Sequence, residues 1–331
     1  MVDEFETNPE VPNIPDTEDA LVTPNYHPFT RIIHEWECEE NVRAVDFCDD
    51  GSKVVIGCSG DLTSNNDVGN VSLYNVESGE KVWSKDCESR VEVVSYCSAN
   101  NYVAVGCMNG YVSVYGIDSK ELHKINIGEY DGDYVSAVCF SSDGSILAAG
   151  GHHTKCIIYD TTTWEQIHWS FPCDKYISSI SMSIDTKIKM IALGGGEQIE
   201  IYDLANGNEL KKIECGSDVW DSDFSTDASK LAVGTESKVM VIDICTEEEL
   251  FSSKGYTTIS FSNDGTKVVI GNYSNEASVF DLSTGTELFK GCIGYAVALS
   301  PDNNKLVVAC GEDNPRKVVL YCMISRRTTS K

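Results

Sequence analysis

The sequence predicts an all-β protein, a seven-bladed β-propeller of four-stranded antiparallel blades whose ring is closed by the N-terminal strand. Three observations lead there. Seven times in 331 residues an apolar β-run, a turn, a second apolar run ending in Gly or a small residue, and an aromatic with a following turn return in the same order. Aligned on the residue that closes the first run, the copies stand at Phe47, Tyr96, Phe140, Met182, Phe224, Phe261 and Leu299, at intervals of 49, 44, 42, 42, 37 and 38. That is the period of a four-stranded blade. The last copy stops after its third strand at Lys317–Cys322, while a spare strand-like run, Phe29–Trp36, stands ahead of the first. Pairing the two removes an open edge.

Residues 1–28 come first. They hold seven carboxylates, no Lys or Arg, and five of the eight prolines. With few apolar side chains such a segment does not offset its ordering entropy, so an extended acidic arm is expected. A docking arm anchored by Phe5, Val11, Ile14, Leu21 and Tyr26 is the alternative. The propeller is expected over residues 29–323. Its third copy is the best formed: Val135–Phe140 alternates as a strand, Ser142-Asp-Gly144 turns, Ile146–Ala149 is buried and Ile157–Asp160 follows. The sixth matches it with Ile259–Phe261, Asn263-Asp-Gly265, Val268–Gly271, Val279–Asp281 and Ser283-Thr-Gly285. The Asp-Gly pairs supply the positive φ of a tight hairpin. No unit buries both faces alone, so the units must stack. Residues 324–331 form a short basic tail.

The pattern over residues 29–323 resembles the WD-repeat (beta-transducin-like) β-propeller family, as a divergent member. The resemblance implies Trp-Asp at the end of each third strand and a His ahead of each first strand, bonded to an Asp. Here the Trp position holds Tyr74, Tyr115, Tyr159, Tyr202, Ile242, Phe280 and Tyr321, with Asp following at Asp160, Asp203, Asp243 and Asp281. The His position holds Cys38, Cys87, Cys173 and Cys215, with Asp131 and Ser252 in two other units. The family's internal polar network is thus expected to be absent or rewritten, with more of the stability resting on apolar packing.

The formal net charge of −27 disfavours nucleic acid and anionic membrane, whose phosphates need Lys and Arg. It suits partners with basic surfaces, or simply keeps the chain soluble. No stretch approaches the ~18 apolar residues of a membrane span, and the acidic Met1–Glu6 is unlike a signal peptide, so a cytoplasmic or nuclear rather than secreted protein is expected. The fourteen cysteines include no Cys-x-x-Cys pair with matching His, so no metal is expected. They follow the repeat: Cys58, Cys107 and Cys310 end second strands. Residues of one register on different blades stand too far apart for a disulfide, so reduced, buried thiols are expected.

Catalytic motifs are missing. His152-His153 lack a ligand-spaced partner, Gly194-Gly-Gly196 has no Lys-Ser/Thr after it, and Gly-x-Ser-x-Gly does not occur. The reading is therefore no enzyme and no cofactor. Aromatic and Arg residues near the starts of the first strands, namely Arg43, Arg90, Tyr134, Tyr176 and Trp220, form the candidate partner face, because these residue types dominate interface energetics. They serve equally as filling between blades. The long turn Ser59–Gly69 widens the same face. The function expected is a non-catalytic protein-interaction scaffold within a larger assembly. The alternatives are an acidic escort for a basic client such as a ribosomal protein or histone, and a structural component of a cytoskeletal or ciliary assembly.

Overall fold

A computed structural model of the chain describes residues 30–48, 50–60, 68–128, 132–152, 155–167, 171–172, 176–183, 189–254, 258–311 and 314–323. The expected acidic arm, the basic tail, most of the turn after Ser59, and Asp131, His153 and Cys173 lie outside the described residues. Every regular element among the described residues is a strand. The first is β1 (Thr30–Glu37), and four-stranded antiparallel sheets follow in chain order. They are β2–β5 (Asn41–Phe47, Lys53–Ser59, Gly69–Asn75, Lys81–Cys87), β6–β9 (Val91–Cys97, Tyr102–Cys107, Tyr111–Gly116, Glu121–Asn126) and β10–β13 (Val135–Phe140, Ile146–Gly151, Lys155–Asp160, Phe171–Pro172). Next come β14–β17 (Ser179–Ser183, Met190–Gly195, Gln198–Asp203, Glu209–Glu214) and β18–β21 (Val219–Phe224, Lys230–Thr235, Lys238–Asp243, Glu249–Lys254).

The remaining strands are β22 (Ile259–Phe261), β23 (Lys267–Ile270), β24 (Asn272–Asp281), β25 (Glu287–Leu299), β26 (Lys305–Cys310) and β27 (Lys317–Met323). They join β1 in one seven-stranded sheet, ordered β1-β27-β26-β25-β24-β23-β22. The sheet spans two repeat units because β25 runs without a break from one to the other. Its first half, through Gly294, pairs with β24; its second half, from Gly294 on, pairs with β26.

Side-chain chemistry sets the position of each strand within its unit. The second strands, such as Lys53–Ser59 and Lys230–Thr235, are apolar and buried along almost their whole length, because neighbouring sheets cover both faces. The outer strands, Glu209-Leu-Lys-Lys-Ile-Glu214 and Glu249-Leu-Phe-Ser-Ser-Lys254, alternate exposed and half-buried, as strands with one wet face do. The first strands β2, β6, β10, β14, β18, β22 and the second half of β25 touch in that order, and β25 also touches β2. Apolar clusters fill the gaps between successive units. One of them draws Val42, Phe47, Ile56 and Tyr74 from the first sheet together with Ala298, Val307, Val318 and Leu320 from the last.

Two turns recur. After the first strand, a Ser hydroxyl donates to the Asp two residues on, at 2.7 Å in Ser141–Asp143, Ser225–Asp227 and Ser262–Asp264. The next residue then takes positive φ: Gly144 at +70°, Gly265 at +64°, but Ala228 at +53°. After the third strand, the carboxylates of Asp160, Asp203, Asp243 and Asp281 accept backbone N–H groups two residues on, which closes the outer hairpin.

β1 touches both the last sheet and the first. Its backbone pairs antiparallel with β27, Trp36 opposite Val318 and Glu37 opposite Lys317. Its side chains turn to the first sheet: the Trp36 indole donates to the Gly79 carbonyl at 2.9 Å, and His34 Nε2 donates to the Val76 carbonyl at 3.0 Å. Trp36 also packs on Tyr74 with ring centroids 5.0 Å apart.

Candidate interaction face

The first strands enter their sheets through a repeated irregularity. Register shifts fall between Val42 and Ala44, Val91 and Val93, Val135 and Ala137, and Val219 and Asp221. A bulge leaves one residue unpaired and re-aims its side chain. The residues so placed are Arg43, Glu92, Ser136 and Trp220. Arg43 is turned toward the next unit, where its guanidinium meets Glu92 at 2.9 Å. Ser136 donates to the Ile177 carbonyl, and Ser178, just ahead of β14, donates to the Val219 carbonyl at 2.6 Å. Trp220 instead points outward, 48% exposed.

Arg90, Tyr134 and Tyr176 stand just before their first strands and are half-buried. The carbonyl of Arg90 accepts the N–H of Met108 at 2.9 Å, which fixes the backbone there. Tyr134 stacks on His152 with ring centroids 5.2 Å apart and accepts the His152 N–H on its carbonyl. The Tyr176 hydroxyl donates to Asp218; burial and then that carboxylate raise its pKa, and Tyr134 is close enough to add to the effect. Thus Tyr134, His152, Tyr176 and Asp218 form one group, Arg43 and Glu92 a second, and Trp220 follows Asp218 by two residues. Glu92 and Asp218 had no mark in the sequence, because no repeat position singles them out, and His152 stood out there only as half of a His pair without ligand spacing.

Below this rim the first strands are tied to one another. Asp46 accepts the N–H of Tyr96 at 2.9 Å, Ser95 that of Phe140 at 3.3 Å, Asp221 that of Ile259 at 2.9 Å and Asp223 that of Phe261 at 2.8 Å. Each bond joins one unit to the next. Burial pushes the Asp221 and Asp223 carboxyls up to about 7 despite these N–H donors.

A family model for the WD40 domain of anaphase-promoting complex subunit 4 matches residues 94–181, from within β6 into β14. The match falls on repeated four-stranded sheets with no helix among the described residues. Over those residues the chain is similar to a WD40 domain, and its repeated four-stranded antiparallel sheets accord with a β-propeller. No curated protein matches it over its sequence. WD40 domains serve in general as protein-interaction scaffolds, and no described helix is long and apolar enough to cross a membrane.

The placement of the cysteines needs a correction. Cysteines of one register do stay in different units, but Cys38 and Cys87, at the family's His position, and Cys292 ahead of the seventh unit each meet the Cys that ends the next second strand. Cys38 packs against the apolar cluster that holds Cys58, Cys87 shares a cluster with Cys107, and Cys292 lies 3.3 Å from Cys310, Sγ to Sγ. Comparing like registers alone overlooked this, since the chain crosses from one unit to the next between the two positions. A Tyr at the Trp position completes each set. Tyr115 and Tyr321 hydrogen-bond the Cys87 and Cys292 thiols, and Tyr74 lies beside the first pair. The expected polar network is therefore rewritten in sulfur and phenol. Hydrogen bonding from the partner thiol lowers the pKa of Cys38, Cys87 and Cys292, and the same bond raises that of Cys58, Cys107 and Cys310. Among the described residues no group of three His, Cys, Asp or Glu side chains is arranged to hold a metal ion.

Proposed function

We propose that this chain is a seven-bladed ring closed by β1, a non-catalytic subunit of a larger protein assembly that holds its partner at the first-strand rim. The ring reading is supported by the β1–β27 pairing, the contact of β25 with β2, and the apolar cluster shared by the first and last sheets. The partner reading rests on one observation: Trp220 is 48% exposed on a rim that also carries Tyr134, Tyr176 and the Arg43–Glu92 pair. A large exposed aromatic flanked by half-buried aromatics and charge is the make-up of an interface anchor. The matching family model is named for a subunit of a multi-subunit complex, which accords with this role. Arg90 lends the rim a second cation beside Arg43.

The test is capture of the native partner by Tyr176→Ala combined with Trp220→Ala. Loss of capture, with the Tm within a few degrees of the parent, supports the reading; each anchor is expected to cost ~2 kcal/mol or more of binding. A folded double mutant that keeps its partner moves the interface elsewhere.

A second reading, an escort for a basic client, is favoured by the net charge of −27 and by Asp218 beside the same rim. Binding of that kind weakens steeply between low and physiological salt. Capture insensitive to salt excludes it.

A further inference from the structure

The sulfur pairs occupy consecutive junctions. Cys292 lies in β25 ahead of Gly294, which pairs with Cys310, so this pair bridges the sixth and seventh repeat units. Cys38 follows β1, whose backbone belongs to the last sheet, and packs against the cluster that holds Cys58 of β3 in the first. Cys87 ends β5 of the first sheet and shares an apolar cluster with Cys107 of β7 in the second. Three junctions in a row, centred on the seam between the chain ends, carry the same Cys, Cys and Tyr set. Cys215 occupies the first position of another junction, but there Thr235 stands in for the second cysteine and Ile242 for the tyrosine.

We propose that Cys38–Cys58, Cys87–Cys107 and Cys292–Cys310 are oxidation sites that close into three disulfides, each stapling one repeat unit to the next and together locking the seam. The 3.3 Å separation of Cys292 and Cys310 exceeds a bonded sulfur pair by about 1.3 Å, a movement within the reach of side-chain rotation. The oxidant is a small organic disulfide. A cysteine thiolate attacks one of its sulfurs and expels one small thiolate, leaving a mixed disulfide on the protein. The partner cysteine, as its thiolate, then attacks the protein sulfur of that mixed disulfide, forming the staple and expelling the second small thiolate. Two protein thiols lose two electrons and two protons, and the small disulfide becomes two thiols. Cys38 and Cys292 are half-buried and open to the first attack, whereas Cys87 and Cys107 are both buried. The Cys87–Cys107 staple therefore closes last.

The experiment takes the full chain, reduced and freed of reductant without air, and exposes it to excess oxidised glutathione. Remaining thiols are alkylated, and linked peptides are mapped by mass spectrometry without reduction. Three links are expected, 38–58 and 292–310 ahead of 87–107, together with glutathione on the exposed Cys245. The oxidised protein should gain several degrees in Tm, reversed by reductant, and Cys58→Ser, Cys107→Ser and Cys310→Ser should each abolish only their own link. Mapping on the parent chain decides the matter even where a variant fails to fold. The proposal is overturned if the six cysteines are still alkylated after Cys245 has reacted fully, if the links scramble, or if a tightly held thiophilic metal ion occupies the pairs.

Discussion

Trp36 and Gly79 are joined across the seam of this protein by a 2.9 Å hydrogen bond from the indole N–H to the glycine carbonyl. By its backbone Trp36 belongs to the last sheet, and by its side chain it reaches the first. Gly79 has φ of +72°, and a Cβ there would stand 2.6 Å from the His34 ring, so neither the turn nor the space admits another residue without displacement. Lys317 and Glu35 add an ion pair at 2.6 Å along the same pairing. In the proposed ring the N-terminal strand is a clasp, its backbone paired with the last sheet and its Trp36 side chain bonded to the first.

If β1 is that clasp, removing residues 1–37 should cause aggregation or a large fall in Tm, while removing residues 1–24 should be tolerated. Trp36→Ala, which empties a buried site and abandons the indole bond, should cost about 3–5 kcal/mol in urea denaturation. Equal melting temperatures for the two truncations would refute the clasp.

Asp221 and Asp223 make stability depend on pH in the neutral range. Their folded pKa values near 7 lie above the unfolded ~3.9, so between those limits the folded state holds protons that the unfolded state releases. Their contribution is whole below about pH 4 and lost as pH rises through about 7. Asp221→Asn with Asp223→Asn keeps an oxygen acceptor for Ile259 and Phe261 but removes the titration. Urea midpoints of the double mutant should fall less from pH 5 to pH 8 than those of the parent; parallel curves would exclude these carboxyls as the source.

Asp227 works in the opposite sense. Hydrogen bonds from Ser225 and then from Ser229 hold its carboxyl down at about 2. A depressed carboxyl stabilises above its unfolded pKa and loses that contribution as pH falls through about 2. Asp227→Ala should cost ~1 kcal/mol at pH 7, kept small by solvent around an exposed side chain, and little at pH 2. A cost that does not shrink with acid would assign the effect to backbone conformation.

Ala228 takes φ of +53° in the same turn, where Gly144 and Gly265 stand in the third and sixth units. A Cβ in the left-handed region costs roughly 1–2 kcal/mol, which exceeds the ~0.5–1 kcal/mol of extra entropy that Gly loses on folding. Ala228→Gly should therefore raise the Tm by a few degrees. An unchanged or lower Tm in calorimetry would mean that the contacts of the buried Ala228 methyl outweigh the strain.

The repeated strands, their turns and the spare N-terminal strand were legible in the sequence, because they depend on local chemistry. Val135–Phe140 alternates with period two, Asp143-Gly144 turns by its own side chain and its own φ, and the last unit visibly lacks an outer strand. The residue types on the rim were legible for the same reason, as Arg and aromatics recurring ahead of the first strands. Their surroundings were not. Arg43 meets Glu92 across 49 residues, and Asp221 bonds Ile259 across 38, so the ion pair and the raised carboxyl exist only once neighbouring units have packed. The bulge that turns Arg43 toward Glu92 and leaves Trp220 exposed is likewise a property of paired strands rather than of either strand alone. The sequence by itself determined what each unit is made of. Tertiary structure decided which side chains meet between units, Cys87 with Cys107 and Trp36 with Gly79, because through-space contacts of a few ångströms bear no fixed relation to separation along the chain.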